Sequence, residues 1–192
     1  MINIPSIIAE HRAAVDSVES LIPAIKQLAE RLTGCLRQGG KILFMGNGGS
    51  AADAQHLAAE LIGRFTRERR ALPAIALTTD TSIMTALAND YDFDRIFARQ
   101  VEGLCRKEDA VVGISTSGNS ANVLAALDKA REIGAHTVGL AGGSGGRLPA
   151  AVDTCLIVPS RVTARIQEVH ILIGHILCDW IEDAMQEESG RV

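Results

Sequence analysis

The chain has 192 residues, of which 47% are hydrophobic and 22% are charged, and its formal net charge at pH 7 is −4. This length suits one well-buried domain and is short for two. An acidic balance without a basic run excludes a surface built for nucleic acid or for an anionic membrane, so any bound phosphate must be held locally by backbone amides and hydroxyl groups.

The N-terminal residues and the cysteines both indicate a cytoplasmic protein. Charges within the first dozen residues interrupt any apolar core of a signal peptide, and no apolar run approaches membrane-spanning length. The 4 cysteines are scattered without a CxxC pair, and most of them lie in apolar runs, as buried free thiols do. We therefore expect a cytoplasmic location and no membrane partner.

Two helices are predicted at the start of the chain. Apolar residues return at helical spacing over residues 5–20, and Pro23 suits the first turn of a second helix over residues 24–37. We expect this pair to form an N-terminal helical extension, residues 1–38, of a single domain spanning residues 1–192.

Short apolar runs then alternate with helical patterns. Continuous runs bounded by turn residues are typical of strands buried on both faces, and helices between them indicate a parallel, doubly wound sheet. The predicted strands are residues 41–45, 72–77, 110–115, 136–141 and 154–159, and the predicted helices are 50–64, 80–104 in two pieces and 119–133. The sequence therefore predicts the α/β class, with a five-stranded parallel sheet flanked by helices.

The last segment, residues 163–187, predicts one long helix whose first half is apolar on most sides. One sheet face does not cover such a helix, so we expect it to be buried between subunits. A helix fully buried in the core of one chain is the alternative. The acidic stretch from Glu182 to Ser189 is interpreted as a solvated end.

Two polar loops each follow a predicted strand and open a helix, where parallel sheets bind their ligands. The first loop is rich in glycine, and its amides favour an anion or a sugar oxygen; it consists of Asn47, Gly48, Gly49 and Ser50. The second loop offers hydroxyl groups without positive charge, from Ser115, Thr116, Ser117 and Ser120. Neither loop matches a nucleotide signature, and either alone could be a helix cap. Together they predict a phosphosugar site.

Histidines on two predicted helices are candidates for chemistry. His56 and Glu60 are four residues apart and so share one helix face. Such a pair is often a surface ion pair, but the small apolar residues around this one leave few faces for solvent, so a metal site or an acid and base pair is predicted. His175 lies in an apolar stretch and needs a partner, whereas His170 is interpreted as a core histidine.

These residues lie in motifs that resemble the phosphoheptose isomerases, a family with the sugar isomerase (SIS) domain. The motifs are GNGGSAADAQHLAAEL, TALANDYDF, GISTSGNSANV and RIQEVHILIGH, and the resemblance covers essentially the whole chain. It implies conversion of sedoheptulose 7-phosphate to D-glycero-D-manno-heptose 7-phosphate, for heptose precursors of lipopolysaccharide or related glycans.

The resemblance also implies a homotetramer with one zinc ion in each site. It places the zinc ligands at His56, Glu60, Gln167 and His175. It places the substrate contacts at Asn47, Gly48, Gly49, Ser50, Glu60, Arg64, Asn89, Asp90, Ser115, Thr116, Ser117, Ser120 and Gln167. Some family members carry an aspartate where this chain has Ala164. The role of that aspartate is therefore absent here or filled by another residue, for which Asp90 is the candidate.

The spacing of two implied ligands predicts a composite site. Gln167 and His175 are eight residues apart, which is about 12 Å along a straight helix. One metal ion does not reach both from a single copy of that helix. We therefore hypothesise that the two ligands come from different subunits.

An isomerase of this kind transfers a proton through an enediol(ate). We predict that Glu60 is the base and that His175 is the acid, with the metal organising them or polarising the carbonyl group. Glu60 then serves both as ligand and as base.

Two other functions compete with catalysis. Some relatives resemble this chain in LPAIALTTD and TARIQEVH and bind a replication initiator protein instead of acting on sugar. Those relatives lack a complete set of acid, base and ligand residues. The presence of His56, Glu60 and His175 in this chain favours the enzyme. A regulator that senses sugar phosphates would need a DNA-binding domain, for which the N-terminal helices are too short and too uncharged.

Overall fold

A five-stranded parallel sheet forms the centre of the computed structural model, which describes residues 2–189, with side chains up to Gln186. The strands are β1 (Ile42–Gly46), β2 (Ala74–Ala76), β3 (Ala110–Ser115), β4 (His136–Gly142) and β5 (Thr154–Val158). Their order in the sheet is β2-β1-β3-β4-β5, and every neighbouring pair is parallel. The predicted α/β class is confirmed.

Helices lie on both faces of the sheet. They are α1 (Ile4–Asp16), α2 (Ile22–Arg37), α3 (Gly49–Ile62), α4 (Thr81–Asp90), α5 (Ala98–Leu104), α6 (Ala121–Ile133), α7 (Leu148–Ala151) and α8 (Thr163–Ser189), with 3₁₀ turns at Ser17–Leu21 and Phe93–Arg95. The helix predicted over residues 5–20 ends earlier than expected, because the hydroxyl of Ser17 bonds the carbonyl of Ala14 at 2.6 Å and the chain tightens there into a 3₁₀ turn.

Two apolar clusters, one on each face, account for the continuous apolar runs. Along β1, Ile42 and Phe44 belong to the cluster under α2, α3 and α8, whereas Leu43 and Met45 belong to the cluster under α5 and α6. Successive side chains of a strand point to opposite faces, so a strand covered on both faces needs apolar residues at every position.

Helix α8 is covered by its own chain along one stripe. That stripe joins the cluster with α1, α2 and α3 through Val169, Ile173, Leu177 and Ile181. On the other side, Ile176 and Trp180 are each 37% exposed. The alternative of a helix fully buried within one chain is therefore wrong, and burial of the remaining apolar side chains between subunits stays a prediction.

The interpretation of the acidic stretch as a solvated end is wrong at its first residue. Glu182 is 0% exposed, because backbone amides of the loop after α3 surround its carboxylate. Its neighbour Asp183 has a side chain that is 63% exposed, as expected. A local sequence pattern shows charge but does not show which distant amides a carboxylate will meet.

The cysteines agree with the expectation that most of them are buried free thiols. All four cysteines are free, and Cys35, Cys105 and Cys178 are buried. Among the described residues, no helix is both long enough and apolar enough to cross a membrane.

His170 is a core residue, as interpreted from the sequence. Its imidazole is 1% exposed, and Nε2 lies 3.0 Å from the carbonyl oxygen of Ala141. Burial lowers the pKa of His170 from 6.5 to about 4, although the bond to Ala141 acts in the opposite direction. The imidazole is therefore neutral in the folded protein at pH 7.

Acid should weaken the fold through His170. As the pH falls from 6.5 toward 4, the unfolded chain binds a proton that the folded chain does not, so the free energy of unfolding should fall by about 3 kcal/mol. Thermal unfolding of the wild type and of His170→Gln across this range measures the effect. The variant should be less stable at pH 7 but decline less steeply, and parallel declines would contradict the assignment.

Candidate active site

The glycine-rich loop joins β1 to α3 and lies beside the serine-rich loop. Gly48 has a φ of +57°, a conformation in which an L side chain is strained, so glycine is required for this turn. The side chains of Asn47 and Asn122 exchange two hydrogen bonds of 2.9 Å, which join the first loop to the start of α6. Because β1 and β3 are neighbours in the sheet, both loops meet at its carboxyl edge, as predicted.

Hydroxyl groups of the second loop are not used as a helix cap. Ser120 stands at the N-cap of α6, but its side chain makes no capping hydrogen bond. Its oxygen lies 2.8 Å from the hydroxyl oxygen of Ser115 instead. Ser117 is exposed and Thr116 is half-buried, so the loop presents hydroxyls at the N-terminus of α6, where the helix dipole favours an anion.

Three potential ligands come together where α3 meets α8. The Nε2 atom of His56 lies 2.9 Å from Nε2 of His175 and 3.1 Å from Oε1 of Glu60. The helices approach closely because residue 174 is glycine: a Cβ atom there would lie 2.5 Å from a methyl carbon of Leu57. The predicted pairing of His56 and Glu60 on one face is confirmed, and His175 joins them.

This cluster fits a zinc ion. One ligand atom from each of His56, Glu60 and His175 lies within 4.8 Å of the others. Ligand atoms of a tetrahedral zinc site with bonds of 2.0–2.1 Å are about 3.4 Å apart, close to the two distances measured here. Two imidazoles and a carboxylate are ordinary zinc ligands, and three protein ligands leave room for a fourth group.

Gln167 contacts a different part of α3. Its side-chain amide packs on Gly49, where a Cβ atom would lie 2.4 Å from Nε2 of the glutamine. Gly49 precedes His56 by seven residues, about 10 Å along the helix. Three of the four expected ligands thus lie together within one chain. The contribution of Gln167 to the same metal from a neighbouring subunit stays a prediction.

Asp53 is a carboxylate near this cluster that the sequence analysis did not identify. It lies four residues after Gly49 and three before His56, and so on the same face of α3. Its Oδ2 atom is buried, and no described residue donates a hydrogen bond to it. Burial raises the pKa of Asp53, while the nearby His56 acts in the opposite direction. The spacing of three residues from His56 was the signal that could have identified it.

The other expected substrate contacts lie on exposed segments. Arg64 follows the C-terminus of α3, and its Nε lies 3.6 Å from a carboxylate oxygen of Glu68. Asn89 and Asp90 are exposed at the end of α4, where the Asn89 amide donates to Asp90 at 2.9 Å. Ala164 is exposed in the first turn of α8. That Asp90 fills the role of the carboxylate absent at position 164 stays a prediction.

Comparison with known proteins identifies the family. The model of the SIS domain matches residues 8–142. A phosphoheptose isomerase of Roseiflexus sp. is 56% identical over 186 residues, which are 95% of this chain and 94% of that protein. The solved phosphoheptose isomerase of Neisseria gonorrhoeae is 48% identical with a TM-score of 0.89 and covers 94% of this chain and 97% of its own. A structure from Francisella tularensis, also a phosphoheptose isomerase, is 40% identical with a TM-score of 0.88 and covers 95% of this chain and 100% of its own. The chain therefore belongs to the SIS domain family and, within it, to the phosphoheptose isomerases.

Proposed function

We propose that this enzyme converts sedoheptulose 7-phosphate to D-glycero-D-manno-heptose 7-phosphate and so supplies heptose for lipopolysaccharide or related glycans. The observation that carries the proposal is the cluster of His56, Glu60 and His175 on α3 and α8, of which α3 begins at the first polar loop. An acid, a base and a site for an anion are what proton transfer on a ketose phosphate requires. Family membership favours this reaction over binding of a replication initiator protein.

The loops are proposed to hold the two ends of the substrate. The phosphate group is assigned to the second loop, where Ser115, Thr116, Ser117 and Ser120 offer hydroxyl groups beside the amides of α6. The sugar is assigned to the first loop, with contacts from Asn47, Gly48, Gly49 and Ser50. Further contacts are proposed from Arg64, Asn89, Asp90 and Gln167. The loops contribute no positive charge, so hydrogen bonds and the helix dipole must hold the phosphate.

Changing Gly118 should weaken binding at the phosphate loop. Gly118 has a φ of +66°, and a Cβ atom there would lie 1.8 Å from the carbonyl oxygen of Gly145, so the loop must shift. We expect Gly118→Ala to raise KM by about tenfold and to cost about 1–3 kcal/mol of stability. Steady-state kinetics and thermal unfolding measure both. Gly103→Ala is the control, because nothing lies within 4 Å of a Cβ atom there; an unchanged KM in Gly118→Ala would contradict the assignment.

Proton transfer is proposed to use Glu60 and His175. Glu60 takes a proton from the hydroxyl-bearing carbon beside the carbonyl carbon and returns it to the carbonyl carbon. His175 donates a proton to the carbonyl oxygen and recovers one from the neighbouring hydroxyl group, so that the new carbonyl forms there. The Glu60 side chain is only 22% exposed, which limits competition from water for its carboxylate. A zinc ion held by His56, Glu60, Gln167 and His175 would polarise the carbonyl group as a Lewis acid.

The substrate assignment is tested by incubating the full-length enzyme with sedoheptulose 7-phosphate and following formation of the aldose phosphate. We expect turnover with zinc, loss of turnover after chelation, and its return when zinc is restored. His56→Ala should remain inactive at every zinc concentration. Absence of product with and without zinc would contradict the proposed reaction.

We also propose that the enzyme is a cytoplasmic homotetramer with sites shared between subunits. The half-exposed Ile176 and Trp180 on α8 support an interface, because a subunit contact would bury them. Light scattering on the purified enzyme measures the assembly. A fully active monomer would contradict the shared site.

A further inference from the structure

A buried carboxylate ties the loop after α3 to helix α8. Glu182 is 0% exposed, and its Oε1 accepts a hydrogen bond from the amide of Phe65 at 2.9 Å. Its Oε2 accepts from the amides of Thr66 and Arg67, each at 2.7 Å. Burial alone would raise the pKa of Glu182, but the hydrogen bonds from these amides outweigh it and lower the pKa. The carboxylate therefore stays ionised and fixes three successive backbone positions.

A buried arginine fastens the same carboxylate to the end of α3. The side chain of Arg69 is 2% exposed, and its Nε lies 3.1 Å from Oε1 of Glu182. Its Nη2 donates to the carbonyl of Glu60 and its Nη1 to the carbonyl of Leu61, each at 2.9 Å. Carbonyls at a helix C-terminus lack partners in the helix, so the guanidinium satisfies them and complements the helix dipole. The backbone of Glu60 is thereby tied to α8.

The residue that Glu182 anchors reaches the metal-binding cluster. The ring of Phe65 stacks on the imidazole of His175, with centroids 5.4 Å apart and planes inclined by 30°. The imidazole of His175 also contacts the imidazole of His56, with centroids 5.1 Å apart. His175 precedes Glu182 by seven residues on α8, so both lie on the same side of that helix. Phe65 thus links the anchored loop to the orientation of His175.

We propose that Phe65, anchored by Glu182, is a positioning residue that holds the His175 imidazole in place to bind a divalent metal together with His56 and Glu60. The inference rests on the proposed function for the presence of that metal. Phe65 offers no ligand atom itself, so it acts only by restricting the ring of His175. Groups that orient a ligand without touching the metal typically change metal affinity by about 10- to 100-fold.

The test compares Phe65→Leu with Phe65→Tyr in the full-length enzyme. Leucine keeps an apolar side chain but loses the stacking face, whereas tyrosine keeps that face. After chelation, cobalt(II) is titrated into each protein, and the absorption of bound cobalt reports the ligand geometry. We expect Phe65→Leu to weaken cobalt affinity about tenfold or more and to shift the absorption band. Phe65→Tyr should retain both values.

Kinetics provide a second readout. Phe65→Leu should lower kcat while KM changes less than about twofold, because the substrate loops are untouched. Phe93→Leu is the matched control: that ring is 56% exposed in the 3₁₀ turn after α4, and its loss should leave cobalt affinity unchanged. Glu182→Gln, if folded, should weaken cobalt binding in the same direction as Phe65→Leu.

Two results would overturn the inference. Wild-type cobalt affinity and absorption in Phe65→Leu would show that the ring does not position His175. Equal losses in Phe65→Leu and Phe65→Tyr would show that side-chain shape, rather than stacking, is responsible. Failure of the proposed function gives different results. Cobalt binding that is unchanged in His56→Ala would contradict the proposed metal site. Cobalt binding without turnover of sedoheptulose 7-phosphate would contradict only the proposed substrate.

Discussion

Glu60→Gln should lower kcat for sedoheptulose 7-phosphate by about a thousandfold while the protein still folds. Glutamine keeps the shape of the side chain and an oxygen near His56, but its amide cannot accept the proton that the carboxylate removes. Initial rates at saturating substrate measure the loss. Zinc content, determined on the same samples, separates the two roles of Glu60: an inactive variant with bound zinc has lost the base, and one without zinc has lost a ligand.

The control for this change is Glu132→Gln on α6. Its side chain is 65% exposed and pairs with Lys129, so the same chemical replacement there should leave kcat unchanged. Near-normal turnover in a folded Glu60→Gln enzyme would refute Glu60 as the base. It would also weaken the proposed reaction, since no other carboxylate lies in the cluster with His56 and His175 among the described residues.

Glu182→Ala should destabilise the protein more than any surface change on the same helix. Removal of the carboxylate leaves the guanidinium of Arg69 buried without its counter-charge and leaves the amides of Phe65, Thr66 and Arg67 without their acceptor. Breaking a buried ion pair from one side typically costs about 3–5 kcal/mol. For a chain of this size, the melting temperature should fall by about 10 °C.

Asp183→Ala provides a comparison at the next residue. The Asp183 side chain is 63% exposed and lies 3.6 Å from a guanidinium nitrogen of Arg67, so its loss should cost less than about 1 kcal/mol. Thermal unfolding of the two variants, side by side with the wild type, measures the difference. Similar melting temperatures for both variants would contradict the structural role assigned to Glu182.

The architecture of the site explains why a small residue is needed on α8. Gly174 lets α8 approach α3 near Leu57, and this approach brings His175 to His56, which is 119 residues away in the chain. A larger residue at position 174 would push the helices apart by steric contact with Leu57. The candidate metal cluster is therefore a product of helix packing as much as of the residue types in it.

The strands and most helices were predictable because their signals are local. A strand such as β3 is apolar at nearly every position, since it is buried on both faces, and this pattern is visible in six consecutive residues. The pairing of His56 with Glu60 was predictable for the same reason: four residues make one turn of a helix. The polar loops were placed at one edge because parallel strands direct their carboxyl ends the same way.

What only the tertiary structure decided depends on contacts between distant segments. The sequence could name His175 as a candidate, but packing of α8 on α3 selected it as the partner of His56. The sequence predicted that the acidic stretch is solvated. Glu182 is buried instead, because backbone amides of the loop that carries Phe65 donate hydrogen bonds to its carboxylate. A local pattern reports periodicity and charge, which fix the elements and suggest the chemistry. The free energy that buries a carboxylate comes from hydrogen bonds and an ion pair with residues more than a hundred positions away, and only the folded chain brings these together.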